Sequence, residues 1–513
     1  MGNLLSESRP PHERPGISGR YYRAARLTGA ASIGVRFIQL LLPFIVAKLI
    51  SRSDFGIFTI IASTVQVGAD LGQVGQGVTL QKFLPQYAVR DTDRASSVVN
   101  TIVGIAFFSL LALAGFLFLF SEPIALKLFA NINLAKYLRI AAVILAASGF
   151  FNVFGGALAG LQEFGKYSLT QLIRSAALFV FGVLGVLLFG LMGVFVAQAI
   201  GALLAAFLAG QIASHALHRR FGAGFGFRFD RHSLREIVAF SVPAFLCSIL
   251  VMPAYWFALT RLSSLFGLQE VAGFGIAFGV MQLVLLIPNI TSMTAMSFLS
   301  ESHTQSDGTF GPLSNLNLRV AWTVALLVSI FFAFATPQFL HALFRDKYAG
   351  TRSVLLYLMF AGMAMAICNS VGSVLASTGR MWRVFAFNAV WLLMFGGLCV
   401  ILIPRYGAEG LAFSYAGSYA TFGILTAVYA NRTCRMSLAR TRELTLLSIL
   451  AFASAGFVDL RLPQYGAVLG CLMFLLLAGM SWRFVMTQEE RNQGLRTLKL
   501  LRQRLVSHSP PLS

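Results

Sequence analysis

The sequence predicts an all-α polytopic membrane protein of about fourteen transmembrane helices, built as two six-helix lobes with an extra C-terminal pair. Three observations predict it. The 513 residues are 57% hydrophobic and only 12% charged, whereas soluble domains are about 25% charged; too little polar surface remains to cover a particle in water. Apolar runs of about 20 residues, the length that crosses a bilayer, recur along the whole chain with short connections. Lys and Arg outnumber Asp and Glu by 40 to 19, and the cations collect on alternate connections, as cytoplasmic loops require. Together these exclude a soluble enzyme, a nucleic-acid-binding domain, a disordered chain and a fibrous protein.

The elements follow in order. Residues 1–22 form a polar cytoplasmic segment with Pro10, Pro11 and Pro15; they lack the short apolar core and cleavage site of a signal peptide. The first lobe, 23–217, holds apolar runs at 26–50, 55–80, 97–120, 137–160, 168–189 and 191–214. A basic cytoplasmic linker, 218–236, carries His218, Arg219, Arg220, Arg228, Arg231 and Arg235. The second lobe, 237–430, holds runs at 237–261, 270–298, 317–340, 353–377, 382–403 and 408–430. Runs at 443–460 and 465–485 supply the extra pair within 431–487. The tail 488–513 sets Leu495, Leu498, Leu501 and Leu505 at helical spacing among Arg496, Lys499, Arg502 and Arg504, the pattern of a basic amphipathic helix on the inner leaflet. With the N-terminus inside, the inside segments carry more than twice the Lys and Arg of the outside loops, which places both termini in the cytoplasm.

The two lobes echo each other at an offset of 217 residues. Leu158 and Ala159 fall on Leu375 and Ala376, Gly190 and Gly193 on Gly407 and Gly410, and Gly56 on Gly273. Identities are sparse, but hydropathy and glycine punctuation agree. A parallel six-plus-six repeat suits a transporter with its site between the halves.

Polar groups inside the spans mark the candidate site. On the first span Gly29, Ser32, Arg36, Gln39 and Pro43 step by three and four, and on the second Thr59, Ser63, Gln66, Asp70, Gln73 and Gly77 do the same. Each set lies on one helix face. Lipid offers such a stripe no hydrogen-bond partner, so both stripes face protein or a watery cavity. Arg36 lies about ten residues from the cytoplasmic end, roughly 15 Å at the helical rise, and a charge at that depth is costly and marks function. Arg174 on the fifth span follows Tyr167 and Gln171 on one face, Arg261 closes the seventh span, and Arg319 opens the ninth. The substrate-binding set is thus Arg36, Gln39, Arg174, Arg261 and Arg319. Asp70, with Gln66, is either the ion-pair partner of Arg36 or another cation, or an ion-coupling site or gate. Because interior Arg outnumbers interior carboxylate, the cargo is read as anionic, with a phosphate or pyrophosphate head group that guanidinium binds in bidentate fashion.

Other chemistry is missing. Gly160, Gly165 and Lys166 match part of a phosphate-binding loop, but Tyr167 stands where Ser or Thr must hold magnesium, and the segment is a turn between membrane helices. The seven His show no metal-ligand spacing. The five cysteines, Cys247, Cys368, Cys399, Cys434 and Cys471, read as buried thiols with no disulfide or metal role. No cofactor and no enzymatic activity are expected.

The stretch Ala47-Lys48-Leu49-Ile50-Ser51-Arg52-Ser53-Asp54-Phe55-Gly56-Ile57-Phe58, followed by Asp70-Leu71-Gly72, resembles the first loop and second helix of bacterial polysaccharide exporters. Leu375-Ala376-Ser377-Thr378-Gly379-Arg380, then Asn388, then Ile403-Pro404-Arg405-Tyr406-Gly407-Ala408-Glu409-Gly410-Leu411-Ala412, resembles the same family across helices ten to twelve. That family is the polysaccharide (O-antigen-type) flippases of the multidrug/oligosaccharidyl-lipid/polysaccharide exporter superfamily, and the likeness spans roughly residues 20–430. It implies a two-lobed fold of twelve to fourteen helices in a bacterial inner membrane. It also implies a central cationic cavity that carries a polyprenyl-pyrophosphate-linked oligosaccharide from the inner to the outer leaflet by alternating access. The resemblance gives pyrophosphate-holding roles to Arg on the first and seventh helices, which Arg36 and Arg261 match here. The expected partners are the lipid-linked oligosaccharide, membrane lipids and glycan polymerase components, and no nucleic acid. The rivals are a cation-coupled small-molecule or drug exporter of the same fold, a membrane scaffold for a polymerase complex, and a membrane glycosyltransferase, for which the acidic outer loops are missing.

Overall fold

The computed structural model describes residues 34–74, 76, 79–80, 84, 92–221, 245–246, 250–305, 310–378, 381–433, 441–461, 465–486, 488 and 491. The N-terminal segment, most of the basic linker and the amphipathic tail lie outside the described residues. No strand occurs among those described. The chain runs through α1 (34–49), α2 (Arg52–Gly72), α3 (Thr92–Leu119), a short α4 (Ser121–Phe129) and α5 (Ala135–Gly160). The helix Phe164–Phe221 is broken at Phe189 and Gly190 into α6 and α7. Then come α8 (Val251–Phe266), α9 (Leu268–Gln305), α10 (Phe310–Phe344) and α11 (Arg352–Ser377). Met381–Thr433 is broken at Gly407 into α12 and α13, and α14 (Thr441–Arg461) and α15 (Gly466–Met480) complete the order.

Among the described residues, ten helices are long and apolar enough to cross a membrane. Two of these are the broken pairs, each folding back on itself. Gly190 has φ +60° and ψ −145°, and Gly407 φ +54° and ψ −128°. These values suit glycine almost alone. Three residues on, Gly193 lies against the Gly185 carbonyl and Gly410 against the Leu402 carbonyl, so close that no side chain fits between the two arms of either hairpin. The 217-residue echo is therefore one turn built twice.

Among α2–α7 the packing centres on α5, and among α8–α13 on α11; α2 also packs closely on α9 across the lobes, and α14 and α15 lie against α10. Their contacts include Trp322 Nε1 donating to Ser448 Oγ at 3.1 Å and Gly466 beneath the Phe334 carbonyl. Many side-chain hydroxyls inside the bundle return to their own helices: Thr59 to the Phe55 carbonyl, Ser414 to Gly410 and Thr426 to Phe422. In lipid that closes the hydrogen-bond account without a second helix. Large apolar side chains such as Leu188, Phe189, Phe207, Leu393 and Leu475 are left outside, as expected where the solvent is hydrocarbon.

Three details depart from the sequence expectation. The second span ends at Gly72 rather than near residue 80, because Val74 takes φ +47° and turns the chain. The helix α4 occupies what read as a plain connection; it is closed by Ala130 in the left-handed region. Cys471 is exposed on α15 rather than buried; Cys368 and Cys399 are buried, and Cys247 and Cys434 lie outside the described residues.

The two lobes meet most tightly at one end, where α1 finishes and α9 begins. Ser51 caps α2 by accepting from the Asp54 amide at 3.0 Å, with the Asp54 charge in the first turn, both stabilising a helix N-terminus. The next residue, Arg52, donates from Nε to the Gln269 carbonyl at 3.1 Å, across the lobes and 217 positions away. Gly56 touches the Leu268 backbone and Gly275 meets Thr59. Lys347, on the turn Arg345–Thr351, donates to the carbonyls of Ala47, at 2.6 Å, and Ile50. These are end carbonyls of α1, which a cation satisfies well. Tyr348 is buried beneath it against Phe55.

Candidate functional site

Fourteen residues below this closure, roughly 20 Å at the helical rise, the lobes part. A cavity of about 160 Å³ is lined by Arg36, Gln39 and Leu40 of α1 and by Gln282 and Leu286 of α9. Arg36 is half-buried and Gln39 exposed. Gln39 Nε2 donates to Ser175 Oγ at 3.2 Å, which ties α1 to α6 and leaves the amide oxygen toward other partners. The charge in the cavity comes from the first lobe, while the wall supplied by the second lobe is neutral. Such a pocket admits an anion with hydrogen-bonding substituents.

A second polar cluster is internal to the first lobe. Asp70 accepts from Gln66 Nε2 at 2.8 Å and from Gln73 Nε2 at 3.5 Å. Arg174 is the cation that acts on it electrostatically, and the two form no ion pair. Arg174 Nη1 reaches Asn152 Oδ1 at 3.5 Å, the guanidinium lies over the Phe151 ring at 4.6 Å, and its buried Nε has no hydrogen-bond partner.

The seven residues singled out in the sequence thus fall in four places. Arg36 and Gln39 share the cavity. Asp70, Gln66 and Arg174 share the cluster. Arg261 is exposed near the end of α8, outside the cavity lining. Arg319 is half-buried near the start of α10, also outside it. Among the described residues, the cation that acts electrostatically on Asp70 is Arg174, not Arg36. Lys166 pairs with Glu163 at 3.3 Å, as expected of a surface turn rather than a nucleotide loop. Sequence reasoning missed Gln282 and Asn152. The signal for Gln282 was a lone amide in an apolar run; only lobe packing tells which side it faces. A larger furrow of about 1000 Å³ between α3, α5 and α7 is lined mainly by apolar residues such as Phe107, Phe118 and Phe207 and by no charged residue, so it offers an anion nothing.

Comparison with known proteins then decides the family. The profile described as "Polysaccharide biosynthesis protein" matches residues 24–299. The chain belongs to that family. The EPS I polysaccharide export inner membrane protein EpsE of Ralstonia nicotianae is 23% identical over 430 residues, 80% of this chain and 93% of that protein. Its counterpart in Ralstonia solanacearum is 24% identical over 408 residues, 76% and 88% of the two chains. Among solved structures, the lipid II flippase MurJ in an inward closed conformation superposes with a TM-score of 0.70 at 16% identity, covering 90% of this chain and 100% of that one. An inward-facing multidrug resistance MATE family transporter of the MOP superfamily superposes at 0.64 with 15% identity, covering 80% and 97%. The two-lobed transporter fold of this polysaccharide biosynthesis family member is the one these structures share.

Proposed function

We propose that this protein is a flippase that moves a polyprenyl-pyrophosphate-linked oligosaccharide from the inner to the outer leaflet, for cell-surface polysaccharide biosynthesis. The carrying observation is Arg36 held at mid-depth in a cavity shared by the two lobes. A guanidinium there has charge to offer an anionic head group and no protein carboxylate in the lining to consume it. Relatives named for polysaccharide export and a neighbour named as a lipid II flippase support the reading. The alternating loop charge and the relatives' names support residence in a bacterial inner membrane with both termini cytoplasmic. In that orientation the Arg52–Gln269 and Lys347 contacts close the outer end, and substrate loads from within. Glycan polymerase components are the natural partners on the outer side.

In this scheme the diphosphate meets Arg36, the lobes rock, the outer contacts part and the head group leaves outward. At about 160 Å³ the cavity holds a diphosphate or one sugar, so loading an oligosaccharide requires the lobes to separate. Arg261 and Arg319 are proposed as contacts made along the path when the lobes move. Asp70, with Gln66, is proposed as the coupling site or gate that acts through Arg174. That cluster is also the feature favouring a cation-coupled small-molecule exporter. Vesicles containing the purified protein separate the two readings. The flippase reading expects a fluorescent lipid-linked sugar to become accessible at the far leaflet and lipophilic cations to stay put. Cation transport with no movement of the lipid would reverse the assignment.

A further inference from the structure

The second-lobe wall of the cavity carries chemistry that a diphosphate does not need. Gln282 lines the cavity opposite Arg36, is half-buried, and makes no hydrogen bond with any described residue. Steps of four and three along the same face of α9 lead through Leu286 to Asn289. Asn369 of α11 donates from Nδ2 to Asn289 Oδ1 at 2.8 Å. That pairing satisfies one half of each amide. Whichever way the two amides are oriented, one NH₂ and one carbonyl oxygen remain uncommitted, and neither is sealed from its surroundings. Free amides within membrane-crossing helices are costly unless water or a ligand meets them.

We propose that Gln282, together with the Asn289–Asn369 pair, is a sugar-reading track: a neutral donor and acceptor wall that hydrogen-bonds the hydroxyls of the sugars next to the diphosphate. The inference rests on the flippase reading and deepens it. The seven residues from Gln282 to Asn289 span about 10 Å at the helical rise, the length of a disaccharide. The geometry divides the labour: Arg36 on the first lobe holds the anion common to every lipid-linked glycan, and the amides on the second lobe discriminate among glycans. A site built to bond hydroxyls rejects a ligand lacking them, because its polar groups are then left unpaired. The class expected is a neutral hexose or N-acetylhexose, since no charged residue lies on this wall to meet an acidic sugar.

The test compares two probes on the full-length protein in vesicles: polyprenyl diphosphate without sugar, and the same lipid bearing a disaccharide. Gln282→Met keeps shape and removes polarity. It is expected to weaken the sugar-bearing probe about five- to tenfold more than the sugar-free probe, the worth of one to two hydrogen bonds. Asn289→Leu/Asn369→Leu, which removes both amides together, is expected to do the same. Arg36→Ala is expected to weaken both probes. If both amide variants bind both probes as the parent does, or lose the two equally, the track is overturned. If Arg36→Ala changes neither probe, the flippase reading itself fails, a separate outcome.

Discussion

Arg174 shows how a charge is kept inside a membrane bundle. Its guanidinium rests on the Phe151 ring at 4.6 Å and touches Asn152 only at 3.5 Å, while the carboxylate that acts on it electrostatically, Asp70, is occupied by two glutamine amides. Arg and Asp therefore support each other at a distance, and neither is fully used. Asp70→Asn should leave Arg174 uncompensated and lower stability by about 1–3 kcal/mol, the range for a hydrogen-bonded charge. Arg174→Gln should do likewise. The double variant should lose less than the sum, by more than 0.5 kcal/mol, as residues in one network do. Thermal unfolding in detergent measures this, and strict additivity would show that the two do not interact.

At the scale of elements, the hairpin turns and the closure between the lobes make separate predictions. Gly190→Ala and Gly407→Ala place a Cβ at φ +60° and +54° and should each cost about 1–3 kcal/mol. Gly115→Ala, in open space at ordinary helical φ, should be nearly neutral. The first two should cost about the same, because a Cβ at Gly407 would meet Phe266 and Glu270 at 3.4 and 3.5 Å, ordinary van der Waals distances, and one at Gly190 would meet open space; melting curves of the three variants test the order. At the closure between the lobes, Lys347→Ala removes the donor to the Ala47 and Ile50 carbonyls. A cysteine placed at Leu268 should then react faster with a membrane-impermeant thiol reagent. Burial lowers the Lys347 pKa below the ordinary lysine value of 10.5, opposed by the Asp54 charge. A lysine whose pKa falls on closing gives up protons as the end closes. Closure should therefore strengthen as pH rises through the window just below 10.5 and be flat near pH 7. The same labelling rate, followed against pH, reads the sign.

Across the whole molecule, what was legible in the sequence is what periodicity and composition record. The apolar runs gave the helices because each must satisfy its own backbone in lipid. Arg36 and Gln39 were found because a polar stripe of 3.6-residue period cannot face hydrocarbon. Gly190 and Gly407 were found because the repeat preserved the residue on which each reversal depends. The hidden features were set by contacts between distant segments. Gln282 is one amide on an apolar helix, and only the docking of α9 against α1 gives it a role. The end of α2 was misplaced because Gln73 and Gly77 continue the polar stripe beyond the end of the helix, and Val74, a β-branched residue, gives no warning of a left-handed backbone. The separation of Arg174 from Arg36 into two sites was likewise invisible, since spacing along a chain says nothing of which helices share a space.

The central claim is that the Arg36 charge holds an anionic head group on its way across. The most direct measurement is the rate at which a labelled polyprenyl-pyrophosphate glycan reaches the outer leaflet of vesicles containing the parent protein, Arg36→Ala or Arg36→Lys. The account predicts a loss of about tenfold or more for Arg36→Ala, as expected for removing a charge-assisted contact. It predicts partial recovery for Arg36→Lys, which keeps the charge but not the bidentate fork. An Arg36→Ala protein that folds and flips the glycan at the parent rate would contradict it.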